Sequence, residues 1–392
     1  MKAIILAAWR WTRLKPITNT TPKPMINIAW KPILEYSLES IYQKVDEIII
    51  VVKYLKDEII NYFWDNYKNT KITYFEQWDD KWTAWAIRWI NFLDDFILIN
   101  WDSIFDKKDF EKIFDLKWYW ALVLETETPE KYGIFKQDED WFAKEIIEKP
   151  TEFVWNLANL WVYKFSKEML DIAWKVWLSK RGEYEITDAI NIFLETNKFK
   201  LIPLEWEFID VWYPWDILDA NKFFLEKLEN SQIKWEIEEN VVIKWNIILE
   251  KWAILKSWTY IEWNVIFGEN CVIWPNCYIR WNSVFSKNCK VWNAVEIKNS
   301  CFWNNSKAGH LTYIWDSVIW NNVNFWAWSL VANLRHDKKN IRVMVKEKLI
   351  DSWKIKLGCI IWDNVKIWVN TKIYPGRILD TDSFTYPWDI IK

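Results

Sequence analysis

At 392 residues the chain is long enough for two domains with separate apolar cores. Its 51 Lys+Arg against 54 Asp+Glu, a formal net charge of −3, exclude the basic footprint of a nucleic-acid binder. No apolar run reaches membrane-spanning length, and the opening MKAIILAA runs straight into charged sequence without a secretory leader's apolar stretch. The expectation is a cytoplasmic protein acting on neither nucleic acid nor membrane.

One feature of the composition is abnormal. There are 36 Trp and only 6 Gly, where glycine ordinarily makes up about 7% of residues. The Trp fall in turn contexts: Trp30-Lys31-Pro32, Asn100-Trp101-Asp102, Trp274-Pro275-Asn276, Pro387-Trp388-Asp389. Glycine normally writes such turns, because it reaches positive φ without a Cβ clash. The sequence therefore predicts that most Trp occupy backbone positions built for glycine.

In chain order, strand-like runs at 3–7, 46–52, 71–75, 96–100 and 120–124 alternate with helical patterns at 33–44 and 57–67. That rhythm predicts an α/β domain with a mostly parallel, Rossmann-like sheet. Ligands of such sheets bind beyond the carboxyl ends of the strands, which places 8–14 and 100–103 at a site. A helix over 214–229 closes this domain, giving expected domains of 1–232 and 233–392.

From 237 onward a six-residue period runs unbroken: Ile237, Ile243, Leu249, Leu255, Ile261, Phe267, Ile273, Ile279, Phe285, Val291, Ile297. Four places after each comes a mostly small residue, among them Ala253, Thr259, Cys271, Cys277, Ser283, Cys289 and Cys301. Neither a helix nor a plain strand keeps every sixth residue on one face; a parallel β-helix does. The slot after the apolar residue holds Gly268 once and Trp274, Trp292, Trp320, Trp326, Trp362 and Trp368 elsewhere, which supports the glycine reading. The period shifts near Trp303, and 334–360 interrupts it. Four of the five cysteines fall in the small slot and read as packing residues of a reduced protein; with no C-x-x-C and two histidines, no zinc site is expected.

The motifs now carry a resemblance. L-A-A-W-R-W-T-R-L at 6–14, T-P-K-P-M at 21–25 and A-W-K-P at 29–32 resemble the sugar-1-phosphate nucleotidyltransferase signature. Gln77 with Trp82-Thr83-Ala84, Asn100-Trp101-Asp102, Glu148-Lys149-Pro150, Asn159-Leu160-Trp161, Gly182-Glu183 with Thr187-Asp188, and Asp210-Val211-Trp212 follow in the family's order. The stretch 307–339, with Ala308-Gly309-His310-Leu311-Thr312-Tyr313, resembles the acetyltransferase half of bifunctional UDP-N-acetylglucosamine pyrophosphorylase/glucosamine-1-phosphate N-acetyltransferases, archaeal members above all.

The resemblance implies a left-handed β-helix and two reactions. In uridylyl transfer, Leu6, Ala8, Trp9 and Trp11 lie in the nucleotide loop, and Gln77, Trp82 and Thr83 read the base. Arg13 and Lys23 neutralise phosphate, Asp102 and Asp210 hold Mg²⁺, and Glu148, Lys149 and Asn159 hold the sugar phosphate. In acetyl transfer, His310 is the general base, and Arg280, Lys298, Tyr313, Asn324 and Asn333 bind or orient the acceptor. Implied partners are UTP or dTTP, a sugar-1-phosphate and acetyl-CoA, in a homotrimer; the basic Lys338-Lys339 reads equally as a contact for acetyl-CoA phosphates or as a solvated charged loop. An indole at 9 or 11 fills the space of the phosphates, so the pattern is that of a working enzyme rewritten from glycine to tryptophan. Alternatives are a monofunctional glucose-1-phosphate uridylyl- or thymidylyltransferase with a structural β-helix, and a non-enzymatic Trp-rich carbohydrate binder or scaffold.

Overall fold

The computed structural model describes residues 1–9, 18, 20–78, 82–92, 94–101, 103–105, 107–179, 181–205 and 208–392. The chain folds as two compact units. One comprises Met1–Arg10, Thr21–Ile26 and Pro32–Asp210; the other comprises Trp11–Thr20, Asn27–Lys31 and Val211–Lys392.

The first unit is built on a mixed sheet. Strand β1 (Lys2–Leu6) lies parallel between β2 (Glu47–Val52) and β4 (Phe96–Asn100), and β3 (Thr70–Glu76) extends the sheet beyond β2. Ala3, Ile4, Ile5 and Leu6 are all buried, as expected of a strand covered on both faces. Beyond β4 the direction changes. β5 (Tyr119–Glu125) and β4 each pair antiparallel with β8 (Leu157–Phe165), and β9 (Phe199–Pro203) adds parallel to β5. The hairpin of β6 (Gly133–Gln137) and β7 (Ala143–Glu148) joins through β6. Stacked Phe165 and Phe199, edge-on to Phe193, anchor the core on this side.

The predicted strands fall where the period placed them. The helix expected over 33–44 spans Ile33–Ile41. The one expected over 57–67 spans Lys56–Phe63 and stops at Trp64, which has φ 56°. Asn66–Tyr67, helical by its sequence pattern, is instead a short strand paired with β3.

In the second unit, helix Asp216–Glu226 precedes a left-handed parallel β-helix. Three parallel sheets each take one short strand per coil. Ile248 pairs with Ile266 and Ile266 with Val284, so three hexads complete a turn. Both repeating slots point inward, Leu249, Phe267 and Phe285 with Ala253, Cys271 and Cys289. All five cysteines are free and buried. The period shift has a plain cause: Phe285 pairs with Phe302 rather than Trp303, one residue lost from the coil. The later interruption is an antiparallel hairpin, Arg342–Val345 with Lys348–Asp351, inserted before Ile319 pairs with Ile361.

Part of the tryptophan occupies left-handed backbone. Ten described Trp have φ between 44° and 83°: 64, 141, 161, 252, 258, 263, 281, 328, 353 and 388. The β-helix corners compare them directly with asparagine, a side chain that tolerates this region. Trp252 (φ 64°) occupies the corner held by Asn270 (59°) and Asn288 (60°) one and two coils on, and Trp258 (65°) that of Asn276 (61°).

Candidate functional site

The sheet order reverses between β1 and β4, and Leu6 pairs directly with Asn100. The loop leaving β1 and the turn leaving β4 therefore start side by side at the switch point, where open α/β sheets bind ligands. Leu6 and Ala8 are buried there, and Trp9 packs partly buried on the core. Trp11, Arg13 and Asp102 lie outside the described residues, as do the side chains of Trp82 and Thr83; those two open the helix Trp82–Ile87.

Lys23 stands in a single 3-10 turn, Lys23–Met25, and is 1% exposed. Its Nζ lies 5.0 Å from the ring centre of Trp101, itself 1% exposed. An indole at the position the family writes as glycine thus covers a cation assigned to phosphate. Gln77 is buried at the end of β3, its backbone N–H donating to Val52 O at 2.9 Å.

Asp210 ends a short strand, Phe208–Asp210, that pairs antiparallel with Ser103–Phe105. The pairing sets Asp210 opposite Ser103, the residue that follows Asp102 in the sequence. A carboxylate such as that of Asp210 suits a hard divalent cation that takes other ligands from phosphates and water. Asp210 also faces Tyr132, whose phenol is pushed up mainly by burial and then by this carboxylate.

The sugar side has a denser network. Glu148 is largely buried at the end of β7, and Lys149 follows at φ 44°. Arg181 reaches three carboxylates: Nη1 to Glu148 Oε1 at 3.3 Å and Glu185 Oε1 at 3.5 Å, and Nη2 to Glu183 Oε2 at 3.3 Å. Burial raises the Glu148 pKa and Glu185 adds to it, while Lys149 and Arg181 pull it back. Glu148 Oε2 is buried with no hydrogen-bond partner among the described residues, an acceptor open to a sugar hydroxyl. Asn159 donates from Nδ2 to Tyr163 Oη at 2.6 Å and accepts the Trp161 N–H at 3.1 Å, so its side chain is fixed. The motifs do not single out Arg181 and Glu185, although the Gly182-Glu183 pair lies between them.

In the β-helix, Arg280, Lys298 and Trp315 are register neighbours on successive coils of one sheet. The Trp315 ring lies 4.8 Å from the Arg280 guanidinium and 4.7 Å from Lys298 Nζ, with the Trp281 ring 4.4 Å from Lys298. Tyr313 stacks on Trp315 at 4.7 Å. Lys298 and Asn333 are buried and joined through Asp316, a residue the motifs do not mark. His310 is exposed just past strand Lys307–Ala308, with the Trp292 ring 5.5 Å from its own. Asn324 pairs in register with Lys307 on that same neighbouring side. The structure thus gathers Arg280, Lys298, Tyr313 and Asn333, and puts His310 and Asn324 on the adjacent face of the coil. His336 and the Lys338-Lys339 pair are exposed in the interruption.

Known proteins are similar to this chain along nearly its whole length. A family model described as nucleotidyl transferase matches residues 2–227. The bifunctional protein GlmU of Methanocaldococcus jannaschii is 41% identical, the match covering 96% of this chain and 91% of its own. A bifunctional sugar-1-phosphate nucleotidylyltransferase/acetyltransferase of Sulfurisphaera tokodaii is 37% identical over 100% of this chain and 97% of its own. A solved UDP-glucose pyrophosphorylase in complex with UDP-glucose shares the fold, with TM-score 0.53 at 22% identity over 58% of this chain and 99% of that one. With relatives matched nearly end to end and both units accounted for, the chain belongs to the family of bifunctional sugar-1-phosphate nucleotidylyltransferase/acetyltransferases.

Proposed function

We propose that the chain makes UDP-N-acetylglucosamine in two steps: acetyl transfer from acetyl-CoA to glucosamine-1-phosphate, then uridylyl transfer from UTP (or its dTTP counterpart) to N-acetylglucosamine-1-phosphate. The observation that carries this is the union, in a chain matched end to end by bifunctional relatives, of a switch-point sheet with a β-helix bearing Arg280 beside Lys298. A monofunctional enzyme or a scaffold leaves that second cation pair without a task.

In the first unit a phosphate oxygen of the sugar-1-phosphate attacks the α-phosphorus of the triphosphate, and pyrophosphate leaves. The protein's part is positioning and charge neutralisation. Arg13 and Lys23 neutralise the triphosphate, Gln77 and the start of the Trp82–Ile87 helix read the base, and Glu148, Lys149 and Asn159 orient the sugar. Asp102 and Asp210 would hold Mg²⁺, whose charge screens the phosphate oxygens. In the second unit His310 takes a proton from the amine as the amine nitrogen bonds to the thioester carbonyl carbon; the C–S bond breaks, and the proton on His310 passes to the departing thiolate to give CoA thiol. Arg280 and Lys298 hold the acceptor's phosphate, and Tyr313, Asn324 and Asn333 orient the sugar. A cytoplasmic homotrimer is the assembly we infer from the resemblance.

The test is pyrophosphate release from UTP, N-acetylglucosamine-1-phosphate and Mg²⁺ by the parent chain and by Trp9→Gly/Trp11→Gly. Turnover that appears only in the double variant supports the loop as the phosphate site. Equal turnover in both removes the tryptophans from that site and refutes the loop reading. Release of CoA thiol with glucosamine-1-phosphate separates the bifunctional enzyme from a monofunctional one.

A further inference from the structure

We infer that Asp316 is the positioning residue of the acetyl-acceptor site, holding Lys298 and Asn333 in place for the sugar phosphate. The role rests on the acceptor reading above, but the geometry stands by itself. Asp316 is 4% exposed and accepts three donors: Asn299 Nδ2 at 2.7 Å on Oδ1, and Asn333 Nδ2 at 2.5 Å with Lys298 Nζ at 3.4 Å on Oδ2. Its N–H donates to Lys298 O at 2.9 Å, and its carbonyl accepts the Gly358 N–H at 2.8 Å. The backbone there is left-handed, φ 50°, a conformation retained only where the surroundings over-determine it.

Those surroundings are the two legs of the inserted segment. Asn333 ends the coil before the insertion and accepts the Leu357 N–H at 2.9 Å where the chain returns. Gly358 then passes so close that a Cβ would lie 2.1 Å from Trp315 O. Asp316 therefore sits at the base of the insertion and ties both of its ends to the cation that faces the acceptor.

The carboxylate also has an electrostatic task. Burial lowers the Lys298 pKa, Lys356 and Arg280 add repulsion, and Asp316 is the group that opposes them. A neutral lysine there could not balance a phosphate dianion.

The test takes the full chain labelled with [¹³Cε]lysine and follows the Lys298 resonance, assigned by its loss in Lys298→Arg, against pH. In Asp316→Asn the titration midpoint falls below the parent's; in Asp316→Glu, which keeps the charge, it stays near it. An unchanged midpoint in Asp316→Asn overturns the proposal. In a Trp315→Gly background, Asp316→Asn raises KM for glucosamine-1-phosphate about tenfold or more, with KM for acetyl-CoA unchanged. Asp316→Glu raises the same KM without moving the alkaline limb of its pH profile. A parallel loss of kcat with both KM values marks a merely structural residue and also overturns it. No acetyl transfer in the background itself would refute the acceptor reading instead, leaving the lysine titration to judge Asp316.

A second inference stands on different observations: we propose that the tryptophans at left-handed and close-approach positions are glycine in the protein as the cell makes it. Trp252 and Trp258 share their corners with asparagine. Trp303, Trp320 and Trp362 continue the column of Glu250, Gly268 and Ser286, in which a Cβ on Gly268 would meet Ser286 C at 2.8 Å. Trp320 and Trp362 bury their indole N–H without an acceptor among the described residues. One codon read as glycine in the source cell accounts for all of these positions together. Peptide masses from the cell's own protein decide it: glycine at 252, 258, 320 and 362 is expected, and tryptophan at these positions overturns it.

Discussion

The sheet of the first unit and the coils of the second receive the same intrusion, an indole where the backbone favours glycine, and they absorb it differently. At the β-helix corners the ring has somewhere to go. Trp258, Trp328 and Trp388 project into solvent, and Trp263 stacks on Trp245 at 4.8 Å as Trp252 packs on Trp235 at 4.0 Å. Each stacked pair returns about 0.5–1.5 kcal/mol against left-handed strain of about 1–2 kcal/mol per residue. At the switch point of the sheet there is no such exit. Trp101 is wholly buried, and the space its ring fills lies against Lys23. What a side chain costs at a glycine position therefore depends on what lies beyond its Cβ as much as on φ. A corner loses stability, whereas a strand end loses the space beside Lys23.

The sharpest way to break this comparison is Trp101→Gly in the Trp9→Gly/Trp11→Gly background. If the buried ring blocks chemistry rather than merely packing, uncovering Lys23 raises pyrophosphate release about 100-fold or more, the scale of a misplaced catalytic group. A rate unchanged by the substitution would show that the strand end tolerates the indole as the corners do.

A smaller effect comes from a buried charge instead of a buried ring. Asp216 opens helix Asp216–Glu226, where Oδ2 accepts the Trp212 and Tyr213 N–H groups at 2.8 and 2.7 Å, and burial raises its pKa to about 6. The sign follows from proton uptake. The folded state holds this proton more tightly than the unfolded chain, so stability from Asp216 is full below about pH 4 and is lost as pH rises to about 6. The loss is on the order of 2–3 kcal/mol. Asp216→Asn keeps an acceptor for both N–H groups and removes the titration. Urea midpoints from pH 4 to 7 should show the parent-minus-variant difference falling through that window; a flat difference would refute the raised pKa.

Much of this architecture was legible in the sequence because it is periodic. Hexads impose a spacing that local preference cannot imitate, so Leu249, Phe267 and Phe285 announced their column before any coordinates. The strands of the first unit announced themselves because a sheet covered on both faces needs continuous apolar runs. The helix expected to reach 67 ended at Trp64, since Trp conceals the stop that glycine would have written. Asp316 was illegible for another reason. Its partners Lys298 and Asn333 lie one coil away on either side, a proximity that only the closed coil creates. Arg181 likewise gathers Glu148 from a distant strand.

The smallest prediction tests the tolerant half of the comparison. Trp258 has φ 65°, is 64% exposed and has no ring contact among the described residues, so backbone strain is nearly its whole effect. Replacing it with glycine relieves about 1–2 kcal/mol of strain. The greater freedom of an unfolded glycine takes back about 0.4–1 kcal/mol. A net gain of about 0.5–1 kcal/mol should appear as a higher urea midpoint with an unchanged slope. Trp263→Gly, at φ 83° but giving up its stack on Trp245, should gain less or lose. If both variants gain equally, the stacks contribute nothing, and the corners endure their tryptophans only because solvent leaves room for them.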